Sequence, residues 1–131
     1  MHPFRRAVEA RDADALVALL AHDVVFRSPV VFRPYVGRDA VEPVLRAALE
    51  VFEDFHYVQE IGTSGGAGHA LVFRATVAGC ELEGVDLLRT GADGAVVELA
   101  VMVRPLTAVV ALAEAMRARL AARSGVGAEA G

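Results

Sequence analysis

The hydrophobic period of the chain changes several times, and those changes divide it into elements. Over residues 3–22 apolar side chains recur every three or four positions (Phe4, Ala7, Val8, then Leu16, Leu19, Leu20), which predicts two short helices. Asp12 or Asp14 can cap the second by accepting a free backbone N–H. Residues 24–28, VVFRS, switch to alternation, with Val24, Phe26 and Ser28 on one face and Val25 and Arg27 on the other. Pro29 and Pro34 bound a loop. After Gly37, RDAVEPVLRAALEVF returns to the helical period from about Asp39. Pro43 then falls in the first turn, where a missing N–H costs little.

From about Asp54 to Arg104 the period is two again. Four antiparallel strands are predicted, at 54–62, 69–78, 80–90 and 95–104. TSGGAG, Gly79 and GADG join them, all rich in residues that tolerate positive φ. Pro105 ends the last strand. Residues 106–122 form a helix with a stripe of Leu106, Val109 or Val110, Ala113, Met116 and Leu120. The small residues that close the chain predict a flexible tail, so the domain is 1–122 and the tail 123–131. No repeat of fixed period interrupts this order. Helices, a strand, a helix and then a meander of strands give the α+β class.

The chain has 131 residues, one domain by size, and enough to bury a core. It is 55% hydrophobic and 23% charged, with mean hydropathy +0.44. That is apolar enough to imply a large interior or an apolar surface that meets a partner or ligand. No apolar run is long enough to span a membrane, and no apolar segment follows the basic residues of MHPFRRAVEARDAD as in a signal peptide. With a single cysteine, Cys80, these features lead to an expectation of a cytoplasmic protein without membrane attachment. Thirteen Lys and Arg against 17 Asp and Glu give a net charge of −4, with the basic residues scattered, so a nucleic-acid partner is not expected.

Two segments carry a family resemblance. LVALLAHDVVFRSPVVFRPYVGRDAVEPVLRA resembles the "helix, acidic residue, strand, Gly-Arg-Asp/Glu, helix" opening of the nuclear transport factor two-like superfamily, and VDLLRTGADGAVVEL resembles its strand–turn–strand ending. The superfamily includes ketosteroid isomerases, SnoaL-type cyclases and limonene-epoxide hydrolases. Over residues 3–122 the resemblance implies a strongly curved, mostly antiparallel sheet forming a cone-shaped half-barrel. Helices would close its concave side around an apolar pocket, and its convex face often makes a dimer. Function does not follow from fold alone.

The resemblance can be followed residue by residue. The first-strand carboxylate base of ketosteroid isomerases falls at Ser28, which is no base at neutral pH without its own activator. Their tyrosine falls at Phe4, which has no hydroxyl, and their buried acid at Asp86, which is matched. Of the epoxide hydrolases' Asp–Arg–Asp set only the arginine is matched, by Arg74; Thr76 and an apolar position near Val101 replace the acids. Neither catalytic set is retained, so whether the chain is an enzyme stays open.

Asp86 is the one catalytic candidate. It shares a strand face with Leu82 and Leu88, where desolvation would raise its pKa, unless it serves only to bond a neighbouring backbone group or Arg. Expected to line the pocket are Phe4, Phe26, Ser28, Tyr35, His56, Leu82, Leu88, Leu99, Val101 and Val103. Ser28 would orient a ligand or bond its own strand-end backbone. Tyr35 would close the mouth or pack on a helix. His56 and Tyr57 are neighbours on a strand, so only one can face inward, and which one is left open. Arg74 faces away from Leu71, Phe73 and Val77, towards Glu81 or Glu83.

No histidines stand at metal-ligand spacing and no glycine-rich phosphate loop is present, so no metal or cofactor is expected. The partners expected are a small apolar molecule, polycyclic or isoprenoid-like, and a second copy of the chain. The second copy is expected because the last strand is apolar on the Val97, Leu99, Val101 and Val103 face and half-apolar on the other. Two readings follow: a pocket protein with acid–base, isomerase- or cyclase-type chemistry, or a non-catalytic binding or dimerisation module.

Overall fold

The computed structural model describes residues 2–62 and 66–124. Residues 63–65 of the TSGGAG turn and 125–131 of the expected tail lie outside the described residues. Ten elements follow one another: α1 (Pro3–Glu9), α2 (Ala13–Ala18), β1 (Leu20–Arg27), β2 (Tyr35–Val36), α3 (Arg38–Val51), β3 (Glu53–Ile61), β4 (Gly68–Val77), β5 (Cys80–Thr90), β6 (Val96–Arg104) and α4 (Leu106–Ser124). The strands form one curved, unclosed sheet in the order β2-β1-β6-β5-β4-β3. Every pairing is antiparallel except β1 with β6.

The α+β architecture is as the alternating periods predict, with local differences. Asp12 is the cap of α2; its side chain accepts from the Ala15 N–H at 3.1 Å. The helix stops at Ala18 rather than near residue 22, because the next segment is captured by the sheet. Leu20 pairs with Val96, and the Val96 N–H donates to the Leu19 carbonyl. The expected loop after Pro29 contains the two-residue strand β2. α3 begins at Arg38 from Gly37, whose φ of 93° suits glycine. Pro43 therefore lies one turn further in than expected, and the helix forgoes one internal hydrogen bond there. Arg123 extends α4 into the expected tail and pairs with Glu50 at 2.9 Å.

The core lies between one face of the sheet and the helices. Val24 and Phe26 of β1, Leu71, Phe73 and Val77 of β4, Leu82 and Leu88 of β5 and Leu99 of β6 are buried there, each at an alternate position of its strand. Gly84 is part of the same face. A Cβ on it would stand 2.3 Å from Phe73 Cζ, so its missing side chain is what lets the Phe73 ring lie flat on β5. Helix α4 buries Ala108, Leu112 and Met116, while Leu106 is exposed, a different stripe from the one expected. The helix is apolar almost all round its first three turns, so its period does not select a face.

Candidate functional site

The strands deliver several aromatic side chains to the concave face, and they leave a cavity of about 90 Å³ against α1, α2, α3 and α4. One wall is aromatic: Phe55 stacks on Phe73 at 4.6 Å, and Phe52 meets both rings edge-on at 5.5 and 5.8 Å. Phe4, Leu16, Phe26, Leu45, Leu99 and Met116 close most of the rest. Only three lining side chains among the described residues are polar, namely Arg11, Ser28 and Asp86.

Arg11 follows α1 with φ 55° and reaches to α3, where its guanidinium donates to the Leu49 and Phe52 carbonyls. Those carbonyls belong to the last turn of α3 and its cap, which lack internal partners. Ser28 continues β1 beyond Arg27, and its Oγ accepts from the Val30 N–H at 3.1 Å. Arg27 pairs with Ala100 and Asp86 with Val101, so Ser28 and Asp86 flank Val101 from either side. Two strand spacings separate them, about 10 Å between Cα atoms.

Asp86 is the buried charged side chain of the core. Its Oδ2 accepts from the Tyr57 hydroxyl at 2.6 Å, and the other oxygen is left to the cavity. Burial pushes the Asp86 carboxyl up to about 7, the Tyr57 hydrogen bond acting against it. Tyr57 is raised far above the usual tyrosine range, first by burial and then by the Asp86 charge beside it. Near neutral pH the cavity therefore holds a carboxyl that can either give or take a proton, and a tyrosine that only donates.

A model of the SnoaL-like domain matches residues 2–99. The chain belongs to the SnoaL-like domain family. Among solved structures, the SnoaL-like domain is similar to a steroid delta-isomerase from Pseudomonas aeruginosa (39% identity, 93% of this chain and 89% of that one, TM-score 0.88). It is also similar to a protein with a cystatin-like fold from Silicibacter pomeroyi (36% identity, 91% and 86%, TM-score 0.84). An NTF-2 like protein from Burkholderia xenovorans shares the fold (19% identity, 77% and 77%, TM-score 0.64). No curated protein matches the chain. The nuclear transport factor two-like superfamily is thereby the right one.

Of the residues expected to line the pocket of this SnoaL-like domain, Phe4, Phe26, Ser28, Leu99 and Val101 border the cavity together with Asp86. The others do not. Leu82 and Leu88 have the expected inward phase but are spent on core packing to either side. Val103 packs against the core one pair beyond Val101, outside the cavity wall. Tyr35 lies on the short strand β2 with its ring 6.0 Å from Phe26, behind the cavity wall. His56 is exposed, its Nδ1 3.0 Å from the Asp54 carbonyl oxygen, because its neighbour Tyr57 takes the inward phase. Arg74 is exposed on the outer face, 3.6 Å from Glu83.

Sequence reasoning missed Arg11, Phe52, Phe55 and Phe73 as wall residues. Phe55 held a usable signal: standing two positions before Tyr57, it sets the strand phase in favour of the tyrosine. Arg11 carried none, because its reach depends on a positive φ and on where α3 ends.

Proposed function

We propose that this SnoaL-like domain binds a small apolar molecule bearing one carbonyl or hydroxyl group and moves a proton on it through Asp86. The observation that carries the reading is the buried Asp86 carboxyl facing an otherwise apolar, aromatic-walled cavity. An unsaturated ligand fits that wall, since flat π-systems gain from offset or edge contacts with Phe52, Phe55 and Phe73.

The reaction favoured is an isomerase-type shift. The Asp86 carboxylate takes a proton from a carbon beside the carbonyl, the electrons pass to the carbonyl oxygen, and the same proton returns to a carbon further along. The Ser28 hydroxyl, whose oxygen already accepts from Val30, keeps its own O–H for that oxygen. The likeness to the Pseudomonas steroid delta-isomerase supports this class of reaction. Size argues for a ligand smaller than a steroid in the cavity as it stands: about 90 Å³ holds several waters, at roughly 10–15 Å³ each, against the roughly 300–1,000 Å³ of pockets for drug-sized ligands. A polycyclic ligand enters only if the rim widens, for instance where Arg11 holds α3.

The second reading is binding without turnover. It is favoured by the cavity having a single carboxylate among the described residues, with Ser28 and Phe4 where the isomerases carry a base and a tyrosine. The experiment that separates the two is incubation with a series of one- and two-ring β,γ-unsaturated ketones, followed by the ultraviolet absorbance of the conjugated product. Turnover by the wild type, lost in Asp86→Asn while ketone binding persists, is expected. Binding with no turnover in either protein leaves the module reading, and equal turnover in both removes Asp86 from the chemistry.

A further inference from the structure

A carboxyl in an apolar wall could turn either oxygen to a ligand, and with no donor beside it would keep its proton through the neutral range. The Tyr57 hydroxyl, 2.6 Å from Oδ2, alters both outcomes. Tyr57 stands on β3, two strands from Asp86, and its partner Phe73 pairs in turn with Gly84. The Phe73 ring lies over Gly84, in the space a side chain there would take, and meets the Tyr57 ring edge-on at 6.2 Å. The tyrosine is fixed from other directions as well. Phe55 meets its ring edge-on at 5.0 Å, and the Arg5 guanidinium lies 5.8 Å from its centre. Arg5 is itself held by Glu9 and Glu60, each at 3.3 Å.

We propose that Tyr57 is the positioning residue of this site, holding Asp86 by Oδ2 so that Oδ1 alone meets the ligand, and supporting the carboxylate as a proton acceptor. The proposal rests on the reading that Asp86 faces a ligand. A hydroxyl that donates to a carboxylate stabilises the charged form against desolvation. Tyr57 can hold this role across the neutral range because its own proton is bound too tightly to leave. The charged groups around the pair are few. Arg5 and Glu9 face Tyr57 from α1, and Arg11 borders the cavity from the α1–α2 link. Among the described residues no second carboxylate lines the cavity.

A carbon-detected NMR titration of the Asp86 carboxyl in the free protein tests this without any ligand. Tyr57→Phe keeps the ring and removes the hydroxyl. The midpoint is expected to rise by about one to two pH units, the worth of one charge-assisted hydrogen bond. The pH profile of ketone turnover should move with it. A merely structural tyrosine would leave the midpoint where it is, and an unmoved or lowered midpoint overturns the proposal while leaving Asp86 its role. A wild-type midpoint near 3.8 instead removes the acid–base reading itself. Should Tyr57→Phe fail to fold, replacing both tyrosines by 3-fluorotyrosine makes the hydroxyl a stronger donor. The Asp86 midpoint should then fall, and no change counts against the proposal.

Discussion

Folding takes the Asp86 carboxyl out of water, so the native chain holds that proton more tightly than the unfolded chain does. The native value lies at about 7 and the ordinary value at 3.8. Between them the native state binds more protons, and this group's contribution to stability falls as pH rises from about 4 to 7, then levels off. The loss is on the order of a few kcal/mol, a large part of a typical domain's stability. Urea midpoints of the wild type and Asp86→Asn across pH 4–8 should diverge: the asparagine variant lacks the decline and is relatively more stable at pH 8 than at pH 4. Parallel curves would place Asp86 in contact with water. The inward phase of this residue was legible because Leu82 and Leu88 alternate with it. Tyr57 was not, since β3 carries register shifts around Glu53–His56 and Tyr57–Gln59 that blur a simple alternation.

β6 is the element on which the site depends, since it stands between the parallel strand β1 and the antiparallel β5. Leu99 is 1% exposed on its concave face and Met102 57% exposed on the convex one. Leu99→Ala should cost about 2–5 kcal/mol by loss of packing and an incomplete collapse of the site. Met102→Ala should stay within about 0.5 kcal/mol in the single chain. Leu99→Asp leaves an unpaired buried charge and should not fold cooperatively. Thermal melts of the three variants check the strand phase directly, and a near-native midpoint for Leu99→Asp would mean the phase is inverted. The long elements were legible because each holds one period for nine residues or more. The ends were not, because partners decide them: Leu19 and Leu20 continue the helical spacing of α2, yet pairing with Val96 draws them into the sheet. The Gly-Arg step before α3 likewise has a reason visible only in three dimensions. Gly37 turns the chain, and Arg38 donates to the Leu20 carbonyl beside the register shift of β1.

The convex face of the sheet decides how the molecule meets a second copy. Two apolar rows cross its centre, Ala70–Leu87–Ala100 and Val72–Val85–Met102. On one side they are bordered by Arg74, Glu83 and Arg104, with ion pairs of 3.6 and 3.5 Å. On the other stand Arg89, Glu98 and Arg27, with pairs of 3.4 and 3.5 Å. An apolar centre with a charged rim of both signs is the anatomy of an interface, and a self-complementary patch suits a two-fold pair. We propose that the chain is a homodimer through this face, as the half-apolar outer side of the last strand implies. Light scattering at micromolar concentration should give about twice the 13.8 kDa of one chain. Leu87→Glu together with Met102→Glu puts four like charges at the centre of the pair and should give the single-chain mass. Both side chains are exposed in one chain, so circular dichroism and the Asp86 titration should be unchanged. A wild type that scatters as one chain sinks the dimer. A double variant that remains paired moves the interface elsewhere, to the exposed edge of β3, where Val58 and Ile61 are the apolar residues left uncovered.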